Sequence, residues 1–293
     1  MSERLRLQVA GMRWTVRVAG HGQPVLFLHG FSGSGLSWAG LAGLGGRVRA
    51  IVPDLPGHGG TGWQTDPAPA GAATPVPAPA ASETDDRPRA SVERTADDLA
   101  AIVRRLGAER VDVVGYSMGA RIGLRLAVAH PDLVRRLVLE APSAGIADPP
   151  ARAERAAADA ERARLAVTEG IEAFAARWEA EPILAGEAAL PAAVRGRQAA
   201  IRRANTPLGL AASLVYGGQA AMDPLQGRLA ALPTPTLVVV GAEDPARARA
   251  EEVATAIPGA RLAVVAGAGH APHLERPDRF HALVLDFLLE TAA

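Results

Sequence analysis

Three residues in this chain have the types that a proton-shuttling nucleophile requires, and each sits in a short turn-forming motif. Ser117 is the centre of Gly115-Tyr116-Ser117-Met118-Gly119, Asp244 lies in Gly241-Ala242-Glu243-Asp244-Pro245, and His270 closes Gly267-Ala268-Gly269-His270. In such a set the hydroxyl contacts the reacting group, the imidazole moves its proton, and the carboxylate holds the imidazole tautomer. The chemistry implied is acyl transfer or proton abstraction, with the substrate left open. Glu140 competes as the acid because it too ends an apolar run. Asp244 is preferred, since a Gly-x-x-Asp-Pro turn presents a carboxylate whereas Glu140 leads directly into a change of pattern. His21 and His130 lie near turns, and His273 and His281 in or near the closing helix suit surface or packing roles. His58, among the Pro and Gly of Pro53-Asp54-Leu55-Pro56-Gly57-His58-Gly59-Gly60, reads as part of a structural turn.

The patterns around these residues supply positions for them. Val111-Asp112-Val113-Val114 leads into the serine motif, and Ile122, Leu124, Leu126, Ala127 and Val128 follow with helical spacing. A strand, a sharp turn at Gly-x-Ser-x-Gly and a helix make a nucleophile elbow, whose tightness demands small residues at 115 and 119. The serine then stands at a helix N-terminus, where free N–H groups favour negative charge. Pro24-Val25-Leu26-Phe27-Leu28 is continuously apolar, as in a strand covered on both faces, and leads into His29-Gly30-Phe31-Ser32-Gly33-Ser34-Gly35. Glycines let backbone amides approach a ligand, so the N–H groups of Phe31 and Met118 are the expected oxyanion donors; the plainer reading is a flexible loop. All three chemical residues fall at carboxyl ends of parallel strands, where open α/β sheets bind ligands. With the order Ser, Asp, His, this predicts an α/β-hydrolase fold: a mostly parallel eight-stranded sheet flanked by helices, with an inserted helical cap.

Along the chain, residues 5–9 and 14–18 alternate with period two and read as an antiparallel hairpin, and 48–52 as a further strand. Residues 64–90 are rich in proline and alanine without apolar periodicity, which predicts a mobile loop. Val92, Ala96, Leu99, Ile102, Val103 and Leu106 recur with helical spacing behind Ser91 as N-cap. After a strand at 134–139 the strand–helix alternation stops, and charged, alanine-rich helical segments occupy 149–167, 170–181, 187–204 and 207–219. Strands at 236–241 and 262–265 and a closing helix at 280–289 complete the chain. The expected division is core at 1–142, helical cap at 143–233 and core again at 234–293.

The 293 residues suit one α/β core with an insertion, and 31 basic against 31 acidic side chains argue against a nucleic-acid or acidic-membrane surface. With no cysteine there is no thiol nucleophile, disulfide framework or zinc-thiolate site. The N-terminal residues lack a signal-peptide core and no apolar run is long enough to span a bilayer, so a cytoplasmic location is expected. Oligomeric state is not legible.

The chain resembles the 2-succinyl-6-hydroxy-2,4-cyclohexadiene-1-carboxylate synthase family of menaquinone biosynthesis. The resemblance rests on Leu28-His29-Gly30-Phe31-Ser32-Gly33, Asp54-Leu55-Pro56-Gly57-His58-Gly59-Gly60, Gly115-Tyr116-Ser117-Met118-Gly119-Ala120-Arg121, Gly170-Ile171-Glu172 with Phe174 and Trp178, Asn205-Thr206-Pro207-Leu208-Gly209-Leu210-Ala211, and Gly269-His270. It implies a lyase, without metal or organic cofactor, that expels pyruvate from a small-molecule substrate carrying several carboxylates, with Ser117 as the base activated by His270. It also implies carboxylate binding by Arg121, Arg155 and Arg202, and pocket positions for Tyr116 and Trp178. Arg121, four residues after Ser117, shares its helical face. Arg155 has an alternative in pairing with Asp159 at helical spacing, Arg202 stands beside Arg203, and Tyr116 and Trp178 have the alternative of packing alone. Guanidinium groups suit carboxylates because each binds bidentately. The chain departs from the family pattern at Ala120, at Pro245-Ala246-Arg247 and in segment 64–90. Two other functions fit the same residues: a serine hydrolase of acidic substrates, and a ligand-binding protein that has lost turnover.

Overall fold

The computed structural model describes residues 3–40, 46–62 and 87–290. The segment 64–90, read above as a mobile loop, lies outside the described residues as far as residue 86.

Eight strands form one sheet in the order β1-β2-β4-β3-β5-β6-β7-β8. β1 (Glu3–Val9) and β2 (Met12–Gly20) make the antiparallel hairpin, and β2 runs antiparallel to β4 (Val48–Pro53). From there β4, β3 (Gln23–Leu28), β5 (Val111–Tyr116), β6 (Val134–Glu140), β7 (Thr236–Gly241) and β8 (Arg261–Val265) are all parallel. β7 is buried along its whole length, as its unbroken apolar run requires of a strand covered on both faces. β8 is the edge, and its Leu262 and Val264 are exposed.

Helices cover both faces. α1 (Val92–Arg105) starts at Ser91, whose hydroxyl accepts from the Arg94 N–H, and with α2 (Met118–Ala129) it closes one core around Leu99, Ile102, Val113, Leu124 and Leu137. Phe27, Trp38, Val114, Val239, Phe280 and Phe287 form the core on the other face.

The insertion between β6 and β7 is helical. α3 (Pro149–Glu179) is capped by Asp148 with proline at its first position, and Gly170 at φ 81° breaks it internally, so it acts as two helices joined by a kink. The helix expected over 187–204 divides into a 3-10 segment, Pro182–Ala189, and α4 (Ala192–Arg203), because Pro191 supplies no N–H across the junction. α5 (Pro207–Gly217) is capped by Thr206 and packs on α3 through Ala163, Ala166, Leu210, Ala211 and Leu214. Phe31 from the core loop and Trp178 pack against this cluster, which fastens the cap over the carboxyl edge of the sheet. α6 (Arg247–Ala256), the short α7 (Pro272–Glu275) and α8 (Pro277–Leu289) complete the core. No helix among the described residues is long and apolar enough to cross a membrane.

Candidate active site

The turn after β5 is as tight as its sequence demands. Ser117 has φ 50° and ψ −105°, a conformation that an L-residue holds only under constraint from its surroundings. A Cβ on residue 115 would lie 2.4 Å from the Gly119 carbonyl oxygen, and one on residue 119 would lie 2.1 Å from that of Leu28. The serine motif therefore accepts only glycine at both positions. The Ser117 N–H donates to the Glu140 carbonyl at 2.8 Å, which ties the turn to the end of β6.

Ser117, Asp244 and His270 meet. The Ser117 hydroxyl and His270 Nε2 are 3.0 Å apart, and His270 Nδ1 donates to Asp244 Oδ2 at 2.9 Å. Asp244 Oδ1 accepts from the Ala246 N–H at 2.8 Å, which orients the carboxylate within its own turn. Because Asp244 is an acceptor, the proton resides on Nδ1 and leaves Nε2 free to take one from the serine. Glu140, the competing acid, binds a different histidine: its Oε1 accepts from the His273 backbone N–H and from Nδ1–H. His273 is buried against Trp38 and Tyr116 and forms part of the pocket wall, the packing role of the two considered.

The loop after β3 is clamped from both sides. Ser32, at φ 61°, donates its N–H to His58 Nε2 at 3.1 Å and accepts at its carbonyl from Asn205 Nδ2 at 2.8 Å. Asn205 Oδ1 in turn accepts from the Gly59 N–H, so one amide from the cap holds two core loops. His58 donates from Nδ1 to the Pro56 carbonyl and thus serves the turn, as its setting predicted. Burial pushes its pKa down to about 3 and that of His29 to about 4, so both are neutral and accept at Nε2. The N–H groups of Phe31 and Met118 have no intramolecular acceptor among the described residues.

One pocket above Ser117 is lined by Phe31, Met118, Tyr116, Arg121, Arg155, Trp178, Arg202 and His270. Tyr116 packs its ring against His270 and His273, and burial holds its phenol well above the ordinary range, hence neutral. Trp178 stands edge-on to Phe31 at 5.0 Å.

The arginines differ sharply in what they already hold. Arg121 is buried, donates from Nη2 to the Gly217 carbonyl at 3.3 Å, and leaves Nε without a partner. Desolvation, reinforced by the nearby charge of Arg155, lowers its pKa to about 9, which still leaves a cation at neutral pH. Arg155 pairs through Nε with both oxygens of Asp159, as helical spacing allowed, and also reaches the pocket. Arg202 lines the pocket too, but it is already paired with acids. Its Nη1 binds Glu179 at 3.0 Å and its Nη2 binds Glu187 at 3.1 Å, so this guanidinium is neutralised before any ligand arrives.

Several pocket residues had no motif to announce them. Glu187, Gln198, Gln219 and Arg249 line the cavity from segments whose sequence is ordinary helical or loop composition. Asn205 stood in a family motif without an assigned role.

Over residues 25–283 the chain matches the alpha/beta hydrolase family. It is 33% identical over 281 residues to a putative 2-succinyl-6-hydroxy-2,4-cyclohexadiene-1-carboxylate synthase of Bacillus subtilis, covering 95% of each chain. The synthase of that name from Salmonella paratyphi C is 31% identical over 268 residues, covering 87% of this chain and 91% of its own. The solved structure of MenH from S. aureus superposes with a TM-score of 0.80 at 25% identity, covering 94% of this chain and 97% of that one. The elbow, the sheet order, the cap and these full-length likenesses agree: the chain belongs to the 2-succinyl-6-hydroxy-2,4-cyclohexadiene-1-carboxylate synthase family of the alpha/beta hydrolases.

Proposed function

We propose that this protein is a carbon–oxygen lyase that eliminates pyruvate from 2-succinyl-5-enolpyruvyl-6-hydroxy-3-cyclohexene-1-carboxylate in menaquinone biosynthesis. The observation that carries this reading is a buried guanidinium, Arg121, without an ion pair among the described residues, in the cavity that also holds the Ser117–His270 pair. A site built only for neutral esters gains nothing from a desolvated cation, whereas a substrate carboxylate compensates it.

The substrate has an acidic C–H beside the succinyl ketone, a ring double bond, and an enolpyruvyl group beyond that double bond. Ser117 Oγ removes the proton as its own hydroxyl proton passes to His270 Nε2, and Asp244 stabilises the imidazolium formed. The electron pair moves onto the ketone oxygen as an enolate. The Phe31 and Met118 N–H groups donate to that oxyanion, each worth roughly 3 kcal/mol. Collapse of the enolate shifts the ring double bond and breaks the bond to the enolpyruvyl oxygen. The departing enolate of pyruvate then takes up a proton, which His270 holds. Arg121 and Arg155 orient the carboxylates throughout.

The test is to mix purified protein with freshly made substrate and follow pyruvate. Release well above the spontaneous rate, lost by at least about 100-fold in Ser117→Ala, supports the reading; release at the spontaneous rate refutes it. A pre-steady-state acyl-enzyme burst with an acidic ester and no pyruvate release would favour the serine-hydrolase reading instead.

A further inference from the structure

We propose that Arg249 binds a substrate carboxylate at the mouth of this pocket, so that the anion grip consists of Arg121, Arg155 and Arg249 rather than Arg121, Arg155 and Arg202. This deepens the function proposed above and rests on it for the identity of the ligand, though not for the ligand's charge.

The case begins with an oddity of α6. Its first turn carries Arg247 and Arg249 and no acidic residue, which sets two cations on the positive end of the helix dipole. Arg247 relieves this by pairing with Glu251 one turn on, at 2.8 Å. Arg249 has no ion pair and no side-chain hydrogen bond among the described residues, and it lines the cavity that contains Ser117 and His270. A lone cation there is unfavourable for the helix, and an anion in the pocket removes the cost.

The second observation concerns Arg121, which lines the same pocket. Arg121 Nε is buried without a partner, and the charges that lower its proton affinity include those of Arg155 and Arg249. All three guanidiniums line one pocket, and the charge of Asp159, which works the other way on Arg121, is paired with Arg155. Among the described residues only Arg155 of the three has an ion pair, and it spends Nε alone on Asp159. Arg202, by contrast, is saturated by Glu179 and Glu187 and also reaches Ser32 Oγ, which makes it a brace between the cap and the Ser32 loop. The geometry suits a ligand with one carboxylate at depth on Arg121 and others nearer the rim on Arg155 and Arg249. Each rim contact stays partly solvated, so it contributes less than the buried one.

Calorimetric titration of the intact protein with benzene-1,3,5-tricarboxylate and with benzoate tests this without turnover. Wild-type protein should bind the tricarboxylate, Arg249→Gln should weaken that binding about three- to ten-fold while leaving benzoate unchanged, and Arg249→Lys should restore most of it. The proposal falls if Arg249→Gln leaves tricarboxylate affinity intact, if it weakens both ligands equally, or if wild-type protein does not bind the tricarboxylate. A normal outcome here alongside absent pyruvate release would reject the lyase and keep the grip. Pyruvate release with no effect of Arg249→Gln on the KM would do the reverse.

Discussion

Glu140 Oε1 accepts two hydrogen bonds from a single residue, His273, at 2.8 Å from the backbone N–H and 2.9 Å from Nδ1, and makes none to His270. The two buried acids at adjacent strand ends thus hold two different histidines, only one of which touches Ser117. Asp244→Asn should keep the fold and lower kcat by about three to four orders of magnitude, because the wrong tautomer is then favoured. Glu140→Ala should instead cost roughly 3 kcal/mol of stability through the unpaired His273 while leaving most of kcat. Thermal melts and steady-state rates on both variants separate the roles. A Glu140 variant that stays fully folded yet loses turnover as Asp244→Asn does would contradict the assignment.

Arg121 is costly to the fold and useful only with an anion present. Arg121→Met should leave the melting temperature equal or raise it, by about 1 kcal/mol equivalent, since a buried cation gives way to apolar volume. The same variant should raise the KM for a carboxylate-bearing substrate at least ten-fold and spare a neutral ester. Denaturation curves and paired kinetics would show it, and a less stable variant with unchanged affinity would mark Arg121 as structural.

Asn205 links the cap to the backbone beside Phe31. Its Nδ2 donates to the Ser32 carbonyl and its Oδ1 accepts from Gly59, so Asn205→Ala loosens both loops at once. The expected result is a stability loss of about 2 kcal/mol and a fall in kcat of at least ten-fold, with a smaller change in KM. An unchanged kcat in protein that remains folded at the assay temperature would show that the Ser32 loop needs no such tether.

Acid should unfold the protein through its buried histidines. His29 and His58 sit with rings 5.2 Å apart and have folded pKa values of about 4 and about 3, both below the unfolded value near 6.5. The unfolded chain binds more protons between these limits, so their contribution is complete above about pH 6.5 and is lost as pH falls toward 4 and then 3. Each histidine removes roughly 1.4 kcal/mol per pH unit across its window. Melting temperature recorded from pH 7.5 to 4.5 should drop steeply below pH 6, and His58→Gln should flatten the slope. A flat profile in the wild-type protein would mean that one or both rings are solvated.

The elements that carry the chemistry were legible because they are local. A two-glycine elbow around Ser117, an unbroken apolar run before His29, and proline-marked helix starts at 149 and 207 all report backbone geometry through residues within a few positions of one another. The break at Gly170 was legible as well, since the helical segments read over 149–167 and 170–181 meet there; the 3-10 segment before α4 was less so, since a proline marks a break without saying what lies on either side.

The amino-acid sequence by itself determined the order of strands and turns, and with it the meeting of Ser117, Asp244 and His270 at one sheet edge. Tertiary structure alone decided which charges in the pocket are available. Arg202 is claimed by acids 23 and 15 residues away and Glu140 by a histidine 133 residues on, while among the described residues neither Arg121 nor Arg249 has an ion pair. Whether a side chain is free depends on what distant segments bring to it, and that information is carried by packing.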